Sequence, residues 1–328
     1  MPLLDFVASI QAGGGGGTGE GGNGASAGGI AAGAAGGAAA SPTPEESAAL
    51  SSYVAAATAS LDEILSTTTE ISAGTAQAVT SLVSNLLDTQ ASAGVTMDPA
   101  TTEMLQSSVI SLTRAASPGA GAVTLSSSNL NVTSEAFADA ASLAAKPVTC
   151  PSSTGQEAAV ELPAGLLSAG GDSGYDPSLP VATMLYVTSN ALHSLAVVEA
   201  DGRRRARRRL GTGKARTASP MVSFSLVQSG SELRIRGAAS PINISVPVDV
   251  SASASSDGGE ATRLGCRWWD SSGDGSWSSA GCETIVRGGA GGGVTCSCTH
   301  LSDFILWEFP MSVEECAPPS LWLTLPHD

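Results

Sequence analysis

The triplet His300-Leu301-Ser302 directly follows Cys296-Ser297-Cys298. A histidine two residues before a serine can lie on the same side of an extended backbone and take the hydroxyl proton. The carbonyl within reach is that of Leu301, the residue just before the nucleophile. Attack there forms a five-membered ring and shifts the acyl group from nitrogen to oxygen. Water then opens the ester, and the chain is cut between Leu301 and Ser302. Adjacency of nucleophile and carbonyl supplies much of the acceleration. A kinked peptide held by flanking disulfides would add strain. Taken alone, His-x-Ser is common and usually inert, so a merely structural reading stands beside the chemical one.

Cysteine and tryptophan concentrate around this triplet. Cys266, Cys282, Cys296 and Cys298 are four of the six cysteines, and Trp268, Trp269, Trp277 and Trp307 are four of the five tryptophans. Zinc sites use cysteine or cysteine/histidine pairs with two to four residues between them. Here the close pair is Cys296-Ser297-Cys298, with one, although His300 follows at a spacing that could chelate. An even cysteine count favours disulfides. So do the sequons Asn131-Val132-Thr133 and Asn243-Ile244-Ser245, candidate glycosylation sites of a secretory-pathway protein. A Cys-x-Cys pair on one strand points both side chains to one face, so each can reach a different partner strand. Cys150 and Cys316 stay open, to pair with each other or with parts of a longer chain.

The elements that must position these residues change type along the chain. Residues 1–40 end in a Gly/Ala tract that cannot bury enough apolar surface to order itself, and they read as a disordered linker. Order begins at Ser41. Thr43-Pro44-Glu45-Glu46 has the form of a helix start, with Thr43 as N-cap and Glu46 closing a capping box. Leu50, Val54, Leu61 and Leu65 follow at helical spacing. Val79, Leu82, Val83, Leu86 and Leu87 mark a second helix. A third opens at Asp98-Pro99 and carries Met104, Leu105, Val109 and Leu112. The stripes read as core, with no polar constellation that would make a site. After Ser117-Pro118-Gly119 short strand patterns follow, separated by turn clusters. The stretch 123–132 alternates loosely and is Ser/Thr-rich, and strand candidates at 158–162, 182–187, 195–199, 222–227, 232–236 and 242–248 suggest an antiparallel sandwich.

Composition excludes several functions. Lys plus Arg is 15 against 30 for Asp plus Glu, a net charge of −15, so no basic face for nucleic acid is expected. No apolar run is long enough to span a bilayer. Met1–Ile10 has no basic n-region and carries Asp5, unlike a signal peptide. That leaves a cytosolic protein or a segment of a longer chain. No glycine-rich loop is tied to a strand and helix as phosphate binding requires, and no cofactor is expected. Six of the basic residues fall in Arg203–Arg209. This reads as an exposed loop, with three alternatives: a solvated loop, a dibasic processing site at Arg205-Ala206-Arg207-Arg208, or a polyanion contact.

Read whole, the cysteine-rich stretch runs Cys266-Arg267-Trp268-Trp269-Asp270, Gly275-Ser276-Trp277-Ser278, Gly281-Cys282, then Thr295-Cys296-Ser297-Cys298-Thr299-His300-Leu301-Ser302-Asp303-Phe304. It resembles the GPS motif, the membrane-proximal part of the GAIN domain of adhesion G-protein-coupled receptors and polycystin-1-like proteins. That motif runs C-x-x-W, a W, G-C, then C-x-C-x-H-L-[ST]-x-F. The likeness is specific over 266–309 and weaker over 43–310.

The resemblance implies an α+β fold: a helical subdomain at 41–117, then an antiparallel β-sandwich at 118–310 ending in the disulfide-stapled motif, with a juxtamembrane-type tail at 311–328. It implies His300 as general base, Leu301 as the scissile carbonyl and Ser302 as nucleophile. It implies the disulfides Cys266–Cys296 and Cys282–Cys298. After cutting, the partner of the larger fragment would be its own C-terminal strand, held by sheet hydrogen bonds and by Phe304, Leu306 and Trp307. The module would lie on the extracellular side of a membrane, within a longer protein, with a polycystin-like context favoured over a seven-helix receptor. The resemblance names no extracellular ligand. Ser stands where the family more often has Thr, and the Gly/Ala tract stands where receptors carry adhesion domains. Two alternatives remain: a non-cleaving, disulfide-stapled module linking an ectodomain to a membrane region, and a cytosolic Cys/His zinc protein.

Overall fold

The computed structural model describes residues 43–92, 97–116, 121–169, 174–189, 193, 216–248, 262–271, 275–287 and 293–310. The Gly/Ala tract, the strand expected at 195–199, the run Arg203–Arg209, Cys316 and the tail after 310 lie outside them.

Three helices open the described chain. Helix α1 (Pro44–Thr67) starts in a capping box: Glu46 N–H donates to Thr43 Oγ1 at 3.2 Å, and Thr43 N–H donates to Glu46 Oε2 at 2.8 Å. Two amides that the helix leaves unpaired are thereby satisfied. Helix α2 spans Ala73–Ser92 and α3 spans Pro99–Ala116. Asp98 caps α3 by accepting from Thr101 N–H at 3.0 Å. The apolar stripes are buried, including Leu61 and Leu65 on α1, Val79 and Leu82 on α2, and Leu105 and Leu112 on α3. None of the described helices is long and apolar enough to cross a membrane.

The rest of the chain is two antiparallel sheets. In chain order the elements are β1 (Ala122–Ser126), β2 (Leu130–Phe137), α4 (Ala140–Ala144), β3 (Val148–Pro151), β4 (Glu157–Glu161), α5 (Leu166–Ala169), β5 (Val181–Thr188), β6 (Arg216–Thr217) and β7 (Met221–Gln228). They continue as β8 (Ser231–Leu233), β9 (Ile242–Val246), β10 (Thr262–Asp270), β11 (Ser276–Ser278), β12 (Cys282–Val286), β13 (Val294–Cys298) and β14 (Asp303–Pro310). The larger sheet has the order β1-β2-β5-β7-β14-β10-β11, with β6 on β14 and β8 on β7. The smaller has the order β12-β13-β9-β4-β3.

The α+β fold is thus three layers. One core lies between the sheets and holds Leu185, Phe224, Phe304 and Leu306 against Val160, Ile244 and Cys296. A second core lies between the helices and the outer face of the larger sheet. It holds Leu61, Val79 and Leu112 against Met184, Tyr186, Ile305 and Trp307. Alternate side chains of a strand point to opposite faces, so β5, β7 and β14 are covered on both. That explains their nearly continuous apolar runs, where a sheet with one wet face would alternate.

The loosely alternating stretch 123–132 is a hairpin: β1 and β2 flank a turn in which Ser127 N–H donates to Leu130 O at 2.9 Å. One strand expectation is corrected. The stretch 232–236 leaves the sheet after Leu233, because the Ile235 carbonyl accepts from Leu301 N–H at 3.2 Å.

Candidate functional site

His300-Leu301-Ser302 lies where the chain passes from one sheet to the other. β13 ends at Cys298 in the smaller sheet, and β14 begins at Asp303 in the larger. The connection is bent, and its backbone is tied down on both sides. Thr299 N–H donates to Gly281 O at 3.0 Å, Ala238 N–H to Thr299 O at 2.7 Å, and Phe224 N–H to Ser302 O at 3.5 Å. Positive φ among the described non-glycine residues occurs at Ser229 alone. The bend at 299–302 is therefore made without left-handed backbone, and the strain expected there is not visible in its dihedrals.

Cys296 and Cys298 project from one face of β13 and are fully buried. Cys296 is bonded to Cys266 on β10, across the sandwich. Cys298 is bonded to Cys282, its direct cross-strand neighbour on β12. The ligand atoms of Cys282, Cys298 and His300 lie within 4.8 Å of one another. Structural zinc needs thiolates, and both sulfurs here are committed to each other.

The tryptophans divide the site in two. Trp268 and Trp269 are neighbours on β10 and face opposite ways. Trp268 packs with the inter-sheet core and meets the His300 ring at 3.9 Å between centroids. Its indole N–H donates to Ala280 O at 2.7 Å, which fixes the ring. His300 is 7 % exposed, with Nε2 3.7 Å from Cys282 Sγ. Burial, helped by the Arg236 charge and opposed by Asp270, pushes its imidazole down to about 4. At neutral pH it is an unprotonated base. Ser302 is half-buried, and its Oγ donates to Trp269 O at 2.6 Å. Among the described residues no hydrogen bond joins His300 to Ser302. Leu301 lies between them, half-buried against the inter-sheet core.

On the helix side stands a group that local sequence reading missed. His193 lies flat on Trp269, with 4.1 Å between centroids and 6° between planes, and edge-on to Trp277. Its Nε2 pairs with Asp303 Oδ2. Gln106 on α3 donates to Asp303 Oδ2 at 2.9 Å, and Tyr186 on β5 donates to Oδ1 at 3.4 Å. Gln106 is the contribution of α3 to this buried polar group. Burial raises the Asp303 carboxyl, but hydrogen bonds from His193, Ser223 and Gln106 and the His193 charge hold it below its ordinary value. His193 is separated from Asp303 by 110 positions and Gln106 by 197. The one local signal was a charged residue opening an apolar strand.

Gly281 makes room for His300. Its φ is +71°, and an added Cβ would meet Thr299 Oγ1 at 2.9 Å and His300 Nδ1 at 3.5 Å. Gly281→Ala is expected to lower stability by about 1–3 kcal/mol, from left-handed backbone strain and crowding. Urea unfolding measures this, and an unchanged midpoint would mean that the turn relaxes freely.

The remaining sequence candidates lie apart. Asn131 is 6 % exposed on β2, where a glycan could not be accommodated without opening the sheet. Asn243 is half-buried on β9. Cys150 forms no disulfide among the described residues and lies in the inter-sheet core, where burial pushes its thiol up to about 11.

A family model described as GPS, GAIN subdomain B, matches residues 120–307, more than half of the chain. Among solved structures, the full extracellular region of zebrafish Gpr126/Adgrg6 is similar over 76 % of this chain, at 17 % identity and a TM-score of 0.47. The match covers 32 % of that structure, so this chain spans about a third of its length. No curated protein matches the chain.

Proposed function

Since the chain belongs to the GPS, GAIN subdomain B, family, we propose that it is a self-cleaving module, cut between Leu301 and Ser302, on the extracellular side of a longer membrane protein. The helical part at 41–117 and the sandwich at 118–310 act as one unit in this reading. His300, Leu301 and Ser302 carry the reaction, and Asn243 is the sequon on offer for a glycan. The observation that carries the reading is the His300-Leu301-Ser302 triplet in the bend at 299–302, with His300 buried and unprotonated at neutral pH.

Ser302 Oγ bonds to the Leu301 carbonyl carbon while its proton passes to His300. The C–N bond then breaks, and the Ser302 nitrogen takes the proton back, leaving an ester. Water adds to that ester and releases a Leu301 carboxylate and a Ser302 with free hydroxyl and amine. To begin, Ser302 Oγ must leave the Trp269 carbonyl and turn toward His300. Afterwards β14 stays, because it pairs with β7 on one side and β10 on the other. Phe304, Ile305, Leu306 and Trp307 are each at most 4 % exposed, worth roughly 1.5–3 kcal/mol apiece.

The second reading, a non-cleaving structural module, is favoured by the Ser302–Trp269 hydrogen bond, which points the nucleophile away from His300. Intact and denatured masses of the chain from a secretory host separate the two. Cleavage predicts a native mass that stays whole and a denatured pair split at 301/302. One uncut denatured chain with four oxidised motif cysteines would favour the structural module.

A base held down to about 4 also sets the pH dependence. His300 is competent above that value, so the cleavage rate after refolding should be level from neutral pH to about 5 and fall as pH drops through about 4. Stability should move as well. The imidazole, 6.5 when unfolded, binds protons in the unfolded chain first, so its contribution is lost as pH falls from 6.5 toward 4. A rate that instead halves near pH 6.5 would mean His300 is solvated during the reaction.

A further inference from the structure

We propose that Asp303 and His193 are positioning residues that hold Ser302 in register for the reaction at Leu301. The proposal rests on the cleavage reading above and names what orients its nucleophile. Ser302 and Asp303 are adjacent in the chain, and both are tied to Trp269. Ser302 reaches its carbonyl through a 2.6 Å hydrogen bond. Asp303 reaches its ring through His193, which stacks flat on the indole and pairs with the carboxylate. Ser302 Oγ leaves that carbonyl to react, whereas the link from Asp303 through His193 to the Trp269 ring stays in place and fixes the direction of the backbone next to the scissile bond.

The chemistry of position 303 supports this role. Residues 303, 305 and 307 share the helix-facing side of β14, and the other two are Ile and Trp, packed in the second core. An apolar side chain would suit that side as well. A carboxylate there is 5 % exposed, and burying it is costly unless every oxygen is paired. Here His193, Gln106 on a helix and Tyr186 on a strand converge on it. Gln106 also donates to Tyr186 Oη at 3.2 Å, which cross-braces the group. A misplacement of about 1 Å at a reacting centre can cost on the order of 100-fold in rate, and this arrangement resists such a shift.

The test is a cleavage time course on the full chain, with near-ultraviolet circular dichroism to verify folding. Asp303→Asn keeps the shape and removes the charge. His193→Phe keeps a ring on Trp269 and removes the donor, whereas His193→Gln keeps a donor without the ring. The expected result is cleavage slowed about 100-fold in folded Asp303→Asn and His193→Phe, with His193→Gln between them and wild type. A purely structural role would lower cleavage only in proportion to the unfolded fraction. Wild-type rates in the folded variants would overturn the proposal. An uncut wild-type chain would instead overturn the cleavage reading. The tethers are then read from amide exchange at 302–304, which should speed at least tenfold in Asp303→Asn, and unchanged exchange would overturn them.

Discussion

Ser302→Ala yields one uncut chain under denaturing conditions, with the folded module intact. The proposed reaction needs an oxygen at that position to receive the acyl group from Leu301. The loss is therefore complete at 301/302 and not a mere slowing. The structural cost is small, because the substitution deletes one hydrogen bond, to Trp269 O, worth about 1 kcal/mol. His300→Ala should slow cleavage by roughly 100- to 10,000-fold, the range for a general base. Ser302→Thr keeps the nucleophile and should still cut. Persistent fragments at 301/302 in Ser302→Ala would sink the assigned role. Fragments elsewhere would report an outside protease.

Removing the Cys266–Cys296 bond by the double substitution Cys266→Ala and Cys296→Ala should cost about 2–5 kcal/mol. Urea unfolding in a Ser302→Ala background measures it on an uncut chain. This bond spans the sandwich from β10 to β13 and closes a loop of 30 positions. Cys282–Cys298 joins paired neighbours and closes 16. Loop entropy makes the first loss larger by only about half a kcal/mol. The two should differ more in chemistry. Losing Cys282 removes the sulfur beside His300 Nε2, so that variant should also cleave more slowly per folded molecule. Equal rates in both folded variants would mean the second disulfide does not orient the histidine.

Much of this molecule is legible along the chain. The capping box at Thr43 and Glu46 is local, since all its partners lie within one turn, and it was readable from residue types. The three helical stripes are local for the same reason. The joint spacing of cysteines, tryptophans and His300-Leu301-Ser302 identifies the family, because disulfide geometry and close packing around it tolerate few residue types. Strand ends were harder. Leu233 ends β8 because the next carbonyl but one is taken by Leu301, a partner far along the chain. The turn inside 123–132 depended on serine side chains that resemble strand residues in a Ser/Thr-rich stretch.

Residue types and spacings along the chain suffice for the fold class, the order of helices before strands, the family and the triplet at the sheet crossing. What surrounds that triplet is set by tertiary packing. It buried β14 on both faces, set Trp268 and Trp269 on opposite sides of one strand, and gave each a histidine. It turned Ser302 toward a carbonyl of β10 and brought Gln106 and His193 to Asp303. These contacts join residues up to 197 positions apart. Periodicity reports which face of an element is apolar, but the choice of partner comes from how whole layers stack and which buried polar groups must be satisfied.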